Sequence, residues 1–131
     1  MLVDDDEELL RELREVLASE GFDVVTSSDS SAASQLAASV GPDLVLLDLK
    51  MPGKSGFELA KEITENPATC GIPVLAMSAF YLESETTNLL APVGIRKWFA
   101  KPLDLDEVLK ELRSLLGRAG RQVDGSTRGS D

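Results

Sequence analysis

Asp48 closes an unbroken apolar run, Leu44-Val45-Leu46-Leu47, and stands just before a turn, Leu49-Lys50-Met51-Pro52-Gly53. Three other polar stretches follow apolar segments in the same way. They are Asp4-Asp5-Asp6 after Met1-Leu2-Val3, Ser78 after residues 72–77, and Lys101 after residues 97–100. If these segments are parallel strands, their carboxyl ends share one edge, where open α/β sheets place their ligands. The resulting site is acidic, with one hydroxyl and one ammonium. Two like charges about 4 Å apart repel by about 4 kcal/mol at an effective dielectric of ~20, so three converged carboxylates need a counter-charge. A hard divalent cation, Mg²⁺ or Mn²⁺, suits such oxygen ligands. It would also let an anionic phosphoryl donor approach Asp48, and aspartate is a nucleophile toward phosphoryl groups, giving an aspartyl-phosphate. Lys101 could then pair with one phosphoryl oxygen and Ser78 could donate to another.

The elements that must position these groups follow from periodicity. Leu9, Leu10, Leu13, Val16 and Leu17 recur at helical spacing, with acids in the first turn and Gly21 past the end. Residues 22–26 are β-rich and precede a serine-rich turn. Ala33, Leu36, Ala37 and Val40 mark a second helix with a small packing face, closed by Gly41 and Pro42. Four consecutive aliphatics before Asp48 read as a strand covered on both faces. Phe57, Leu59, Ala60 and Ile63 mark a third helix ending near Asn66-Pro67, and residues 72–78 form the next strand. Residues 83–90 predict a short fourth helix, weakened by Thr86, Thr87 and Asn88 and stopped by Pro92 and Gly94. A fifth strand is expected over residues 97–100. Asp104 then caps a last helix with Leu105, Val108, Leu109, Leu112 and Leu116 in one stripe. Five alternating strand–helix units predict a doubly wound α/β fold with a five-stranded parallel sheet. Residues 1–117 are expected to form one domain, and residues 118–131 a disordered tail or the start of a linker.

Composition narrows the function. With 131 residues there is room for one domain with a proper core, and at 5% aromatics Leu, Val and Ala must fill it. A formal charge of −10 argues against a nucleic-acid backbone binder. No apolar run approaches the roughly 20 residues of a membrane span, and the acidic start is unlike a signal peptide, so a cytoplasmic location is expected. The lone Cys70 can form no intrachain disulfide. The absence of histidine removes the usual zinc ligand sets and the commonest general base.

Four pieces in the right order carry a resemblance: Val3-Asp4-Asp5, Leu47-Asp48-Leu49-Lys50-Met51-Pro52-Gly53, Ala76-Met77-Ser78-Ala79 and Phe99-Ala100-Lys101-Pro102. Over residues 1 to about 117 the chain resembles the receiver domain of two-component response regulators. That resemblance implies a CheY-like, flavodoxin-like sheet of order 2-1-3-4-5. It implies phosphorylation of Asp48 by a histidine kinase or phosphotransfer protein, in a Mg²⁺-dependent reaction. Asp5, Asp48 and the Lys50 backbone carbonyl would ligate the metal, with Asp4 acting through water. Lys101 would pair with the phosphoryl group, and Ser78 and Trp98 would be the switch residues. The Lys101-Pro102 bond is expected to be cis. The output would be altered binding of an effector protein or domain, or of a second copy, through the face of helix 4, strand 5 and helix 5. Such a domain is a signalling phosphoacceptor, an enzyme only toward its own phosphorylation and dephosphorylation.

The chain also departs from the family pattern. The first strand is short, one extra residue stands between Ser78 and Lys101, and Pro92 falls at the end of the fourth helix. Phe80 and Lys50 occupy positions that in this family flank the path of the hydrolytic water, so an apolar ring there implies slow loss of the phosphoryl group.

Blander readings stand beside these. Acids at residues 4–8 favour a helix N-terminus, a serine at a strand end often makes a turn, and Trp98 could be core with one exposed edge. A haloacid-dehalogenase-like hydrolase would use Asp4 and Asp6 as nucleophile and acid. A flavodoxin-like FMN binder would need a phosphate loop where the acids stand.

Overall fold

The strand that ends in Asp48 has water on neither face. In the computed structural model, which describes residues 1–121, it spans Val45–Asp48 (β3), and all four residues are buried. Its centre in the sheet explains why no polar residue interrupts the run. Strands β1 (Leu2–Val3), β2 (Thr26–Ser27), β4 (Val74–Ser78) and β5 (Ile95–Ala100) join it in a parallel sheet of order β2-β1-β3-β4-β5.

Helices cover both faces. The first face carries α1 (Glu7–Ser19) and α5 (Leu105–Arg121), whose Leu10, Leu13, Leu17, Val108 and Leu112 pack against Leu46, Leu75 and Phe99. The other carries α2 (Ser30–Val40), α3 (Gly56–Glu65) and the short α4 (Ser84–Thr87), over Val45, Leu47 and Ala76. Helix starts are chemically marked. The Asp6 carboxylate accepts from the Leu9 N–H (3.1 Å), Asp29 from Ser31 (2.9 Å), and Ser55 and Glu58 form a reciprocal capping box. No helix among the described residues is long and apolar enough to cross a membrane.

Five element boundaries differ from the sequence expectation. The strand expected over residues 22–26 is paired only at Thr26 and runs on into the expected turn at Ser27, because Thr26 and Ser27 are the partners of Leu2 and Val3 in β1. The strand before Ser78 begins at Val74, after Pro73. The fourth helix has one turn, and Pro92 lies in a separate 3-10 turn at Ala91–Val93, where its missing N–H costs nothing. Strand β5 begins at Ile95, with a bulge that leaves Arg96 unpaired between Ile95 and Lys97; one residue of the long stretch from Ser78 to Lys101 is taken up there. Helix α5 runs on to Arg121, and the rest of the expected tail, residues 122–131, lies outside the described residues.

The turn after β3 is closed tightly. The Gly56 N–H donates to the Leu49 carbonyl (2.9 Å), and a Cβ at Gly56 would land on the Asp48 carbonyl oxygen and 2.6 Å from Leu49 Cα. Both obstacles are backbone and cannot swing away. Gly56→Ala should therefore cost about 2 kcal/mol, seen as a lower urea midpoint with unchanged slope. An unchanged midpoint would show that this backbone yields freely.

Candidate functional site

At the carboxyl edge of the sheet, β1 delivers Asp4, β3 delivers Asp48 and β5 delivers Lys101. Asp4 and Asp48 are buried, at 1% and 5% exposure, while Asp5 is exposed. Carboxylate oxygens of Asp4, Asp5 and Asp48 lie within 4.8 Å of one another. The Lys101 Nζ is 2.6 Å from Asp4 Oδ2 and 3.4 Å from Asp48 Oδ1. Asp4 is further held by the Asp6 N–H, which donates to its Oδ1 at 2.9 Å. One ammonium thus faces three carboxylates. Burial first, and then the Asp4 charge, push the Asp48 carboxyl up to about 6, against the pull of Lys101. Burial works against the Lys101 charge, yet its hydrogen bond to Asp4 and the charges of Asp4 and Asp48 raise its pKa above the ordinary lysine value.

This uncompensated negative charge fits a divalent cation. Asp4 is already engaged by Lys101 and Asp6, so Asp5 and Asp48 carry the more available oxygens, and the cluster as a whole could bind a metal.

The other expected residues lie around this cluster with distinct partners. Ser78 is buried, but its hydroxyl serves a local turn, donating to the Phe80 carbonyl (2.8 Å) and accepting from the Phe80 N–H (3.1 Å). Its carbonyl accepts from the Lys101 N–H at 2.8 Å, tying the ends of β4 and β5 together. The Lys101-Pro102 bond is cis. Lys50 extends its ammonium over the Phe80 ring, 4.7 Å from the centroid. Trp98 is half-buried and packs partly on the α2–α3 face of the core. Tyr81, which sequence reasoning passed over, meets Trp98 edge to face at 6.4 Å and is 85% exposed. Only its aromatic type, three residues after Ser78, could have signalled it. Asp6, the acid of the hydrolase alternative, is exposed and spends its carboxylate capping α1.

The raised Asp48 pKa has a stability consequence in metal-free protein. A folded-state value of about 6, against an ordinary 3.8, means the ionised carboxylate is better accommodated in the unfolded chain. Stability from this group is therefore fully present below about pH 4 and lost as pH rises through 6. In EDTA at pH 8, Asp48→Asn should unfold at higher urea, by about 2 kcal/mol, with the gain vanishing near pH 4. A gain that is equal at both pH values would assign it to something other than charge.

Comparison with known proteins gives one answer. The family model described as response regulator receiver domain matches residues 1–113. The polar-differentiation response regulator DivK of Brucella anthropi is 27% identical over 119 residues, covering 91% of this chain and 96% of its own. A response regulator from Desulfuromonas acetoxidans is 30% identical with a TM-score of 0.79, covering 89% of this chain and 94% of that one. Chemotaxis protein CheY4 of Vibrio cholerae is 26% identical with a TM-score of 0.81, covering 88% and 95%. Like these proteins, and with the sheet order and acidic edge already described, the chain belongs to the response regulator receiver domain family, whose members are signalling proteins.

Proposed function

We propose that this domain is a phosphoacceptor switch in which Asp48 takes a phosphoryl group from a histidine kinase or phosphotransfer protein. The observation that carries the reading is the buried Asp48 carboxylate set beside Asp4, Asp5 and the Lys101 ammonium at 3.4 Å. An Asp48 oxygen forms the new P–O bond as the donor's bond to phosphorus breaks, its electron pair leaving with the donor. Mg²⁺ or Mn²⁺, held by Asp5, Asp48 and the Lys50 carbonyl and through water by Asp4, would neutralise charge on the phosphoryl oxygens. Lys101, 3.4 Å from Asp48, would pair with a second oxygen of the acyl phosphate. Ser78 would exchange its bonds to Phe80 for one to the phosphoryl group, drawing the turn of residues 78–80 inward. The neighbouring Tyr81–Trp98 pair would move with that turn and alter the face of α4, β5 and α5 offered to an effector or a second copy.

In this reading residues 1–117 are the receiver, with α5 running on to Arg121 before the tail or linker. The domain works in the cytoplasm and catalyses only its own phosphorylation and dephosphorylation.

Intact mass after incubation with Mg²⁺ and acetyl phosphate should rise by one phosphoryl group. The shift should vanish in Asp48→Asn and form at least about tenfold more slowly in Lys101→Ala, a loss of ~1.4 kcal/mol of transition-state stabilisation. A full shift in Asp48→Asn would overturn the assignment.

The lifetime of the phosphorylated state depends on the residues over the site. Phe80 and Lys50 bridge the loops after β4 and β3 through their ring–ammonium contact, and the apolar ring should hinder an attacking water. In a radiolabel chase Phe80→Glu should lose phosphate about tenfold faster than the parent, a barrier change of ~1.4 kcal/mol. Equal rates, or loss from the parent within seconds, would reject this role.

A further inference from the structure

The turn that joins β2 to α2 touches both sides of the acidic edge without adding a carboxylate to the cluster. Hydroxyls build it. The Ser27 hydroxyl donates to the Asp29 carbonyl (3.1 Å) and accepts from the Asp29 N–H (3.3 Å). On one side, the Ser27 carbonyl accepts from the Asp4 N–H at 3.2 Å, at the end of β1 and one residue before Asp5. On the other, the Ser30 hydroxyl donates to the Pro52 carbonyl at 3.2 Å, in the loop after β3.

The Ser30 contact is not a by-product of helix capping. Asp29 caps α2, its carboxylate accepting from the Ser31 N–H at 2.9 Å, so the Ser30 hydroxyl is free to reach away from the helix. Ser30 is 4% exposed, and a hydroxyl buried to that degree costs free energy unless it is bonded.

The loop it grips is fixed at both ends by other contacts. The Leu49 N–H donates to the Met77 carbonyl (3.0 Å), the Leu49 carbonyl accepts from the Gly56 N–H (2.9 Å), and the Lys54 ammonium pairs with Glu62 of α3 at 2.7 Å. Between these points Met51 is buried, but apolar burial is non-directional and does not set how a backbone carbonyl points. Among the described residues, Ser30 makes the one hydrogen bond that reaches the backbone of residues 50–53.

We propose that Ser30 is a positioning residue for the divalent cation: by tying the Pro52 carbonyl to the turn that also holds the Asp4 N–H, it fixes the Lys50 carbonyl relative to Asp5 and makes the site select Mg²⁺ over the larger Ca²⁺. The role rests on the phosphoacceptor reading, in which Asp5 and the Lys50 carbonyl are ligands. Mg²⁺ demands near-octahedral oxygens at about 2.1 Å, whereas Ca²⁺ accepts irregular ones at about 2.3–2.6 Å. A slack carbonyl therefore costs Mg²⁺ more than Ca²⁺.

NMR titration of the unphosphorylated full chain with Mg²⁺ or Ca²⁺, following the Asp5 and Lys50 amides, tests this. Ser30→Ala should bind Mg²⁺ about tenfold more weakly than the parent, and Ca²⁺ within about twofold of it. Ser30→Cys, of nearly the same shape but a weaker donor, should shift the preference in the same direction and carries the comparison if Ser30→Ala does not fold. Ser31→Ala, at an exposed neighbour in the same helical turn, should match the parent for both ions. Unchanged Mg²⁺ affinity in folded Ser30→Ala and Ser30→Cys, or an equal loss of both ions, would overturn the positioning role and leave the phosphoacceptor reading standing. A parent chain that binds no Mg²⁺ would overturn this role and the metal of that reading together.

Discussion

A single ammonium holds together charges that would otherwise drive the sheet edge apart. Lys101 reaches Asp4 at 2.6 Å and Asp48 at 3.4 Å from a strand two places away from β3. The pairing is incomplete, because one positive charge answers three carboxylates. Removing a partner from a buried pair leaves an uncompensated charge, so each member constrains the others. Burial first, and then the Asp4 charge, hold the Asp48 pKa up against the pull of Lys101. This makes the carboxylate a group whose energy changes sharply when a cation arrives or its charge is altered.

The remainder of the sheet keeps these groups in place. β3 is buried along its whole length between two helical layers, and its neighbours β1 and β4 fix it from both sides. Close packing of this kind leaves few alternative positions for Asp48. The segment after β4 is built differently. Phe80, Tyr81 and Leu89 are exposed, α4 has a single turn without a side-chain cap, and among the described residues the Ser78 hydroxyl is bonded only within its own turn. A rigid acidic edge therefore adjoins a lightly anchored segment.

Much of this was legible before folding was considered. Asp48 and Lys101 could be found because an unbroken apolar run marks a buried strand, and a parallel sheet sends the carboxyl ends of all such strands to one edge. The helices on Leu10, Leu13 and Leu17 and on Val108, Leu109 and Leu112 were legible for the same reason, since their spacing serves burial. Strand limits were less so. Residues 22–25 have strand composition, yet only Thr26 and Ser27 are paired, because pairing depends on β1 rather than on the segment itself. The start of β5 at Ile95 depends in the same way on a bulge against β4.

The sequence by itself determined the fold class, the order of alternating elements and the identity of the acids and the lysine at the strand ends, because burial periodicity and turn chemistry are local properties. Only the tertiary structure decided how these groups share their charge: Lys101 on Asp4 more closely than on Asp48, Asp6 capping a helix, Ser78 engaged with Phe80, and Tyr81 against Trp98. Those choices depend on distances of a few ångströms between residues up to 97 positions apart. No local pattern encodes such distances; they follow from how the strands and helices pack.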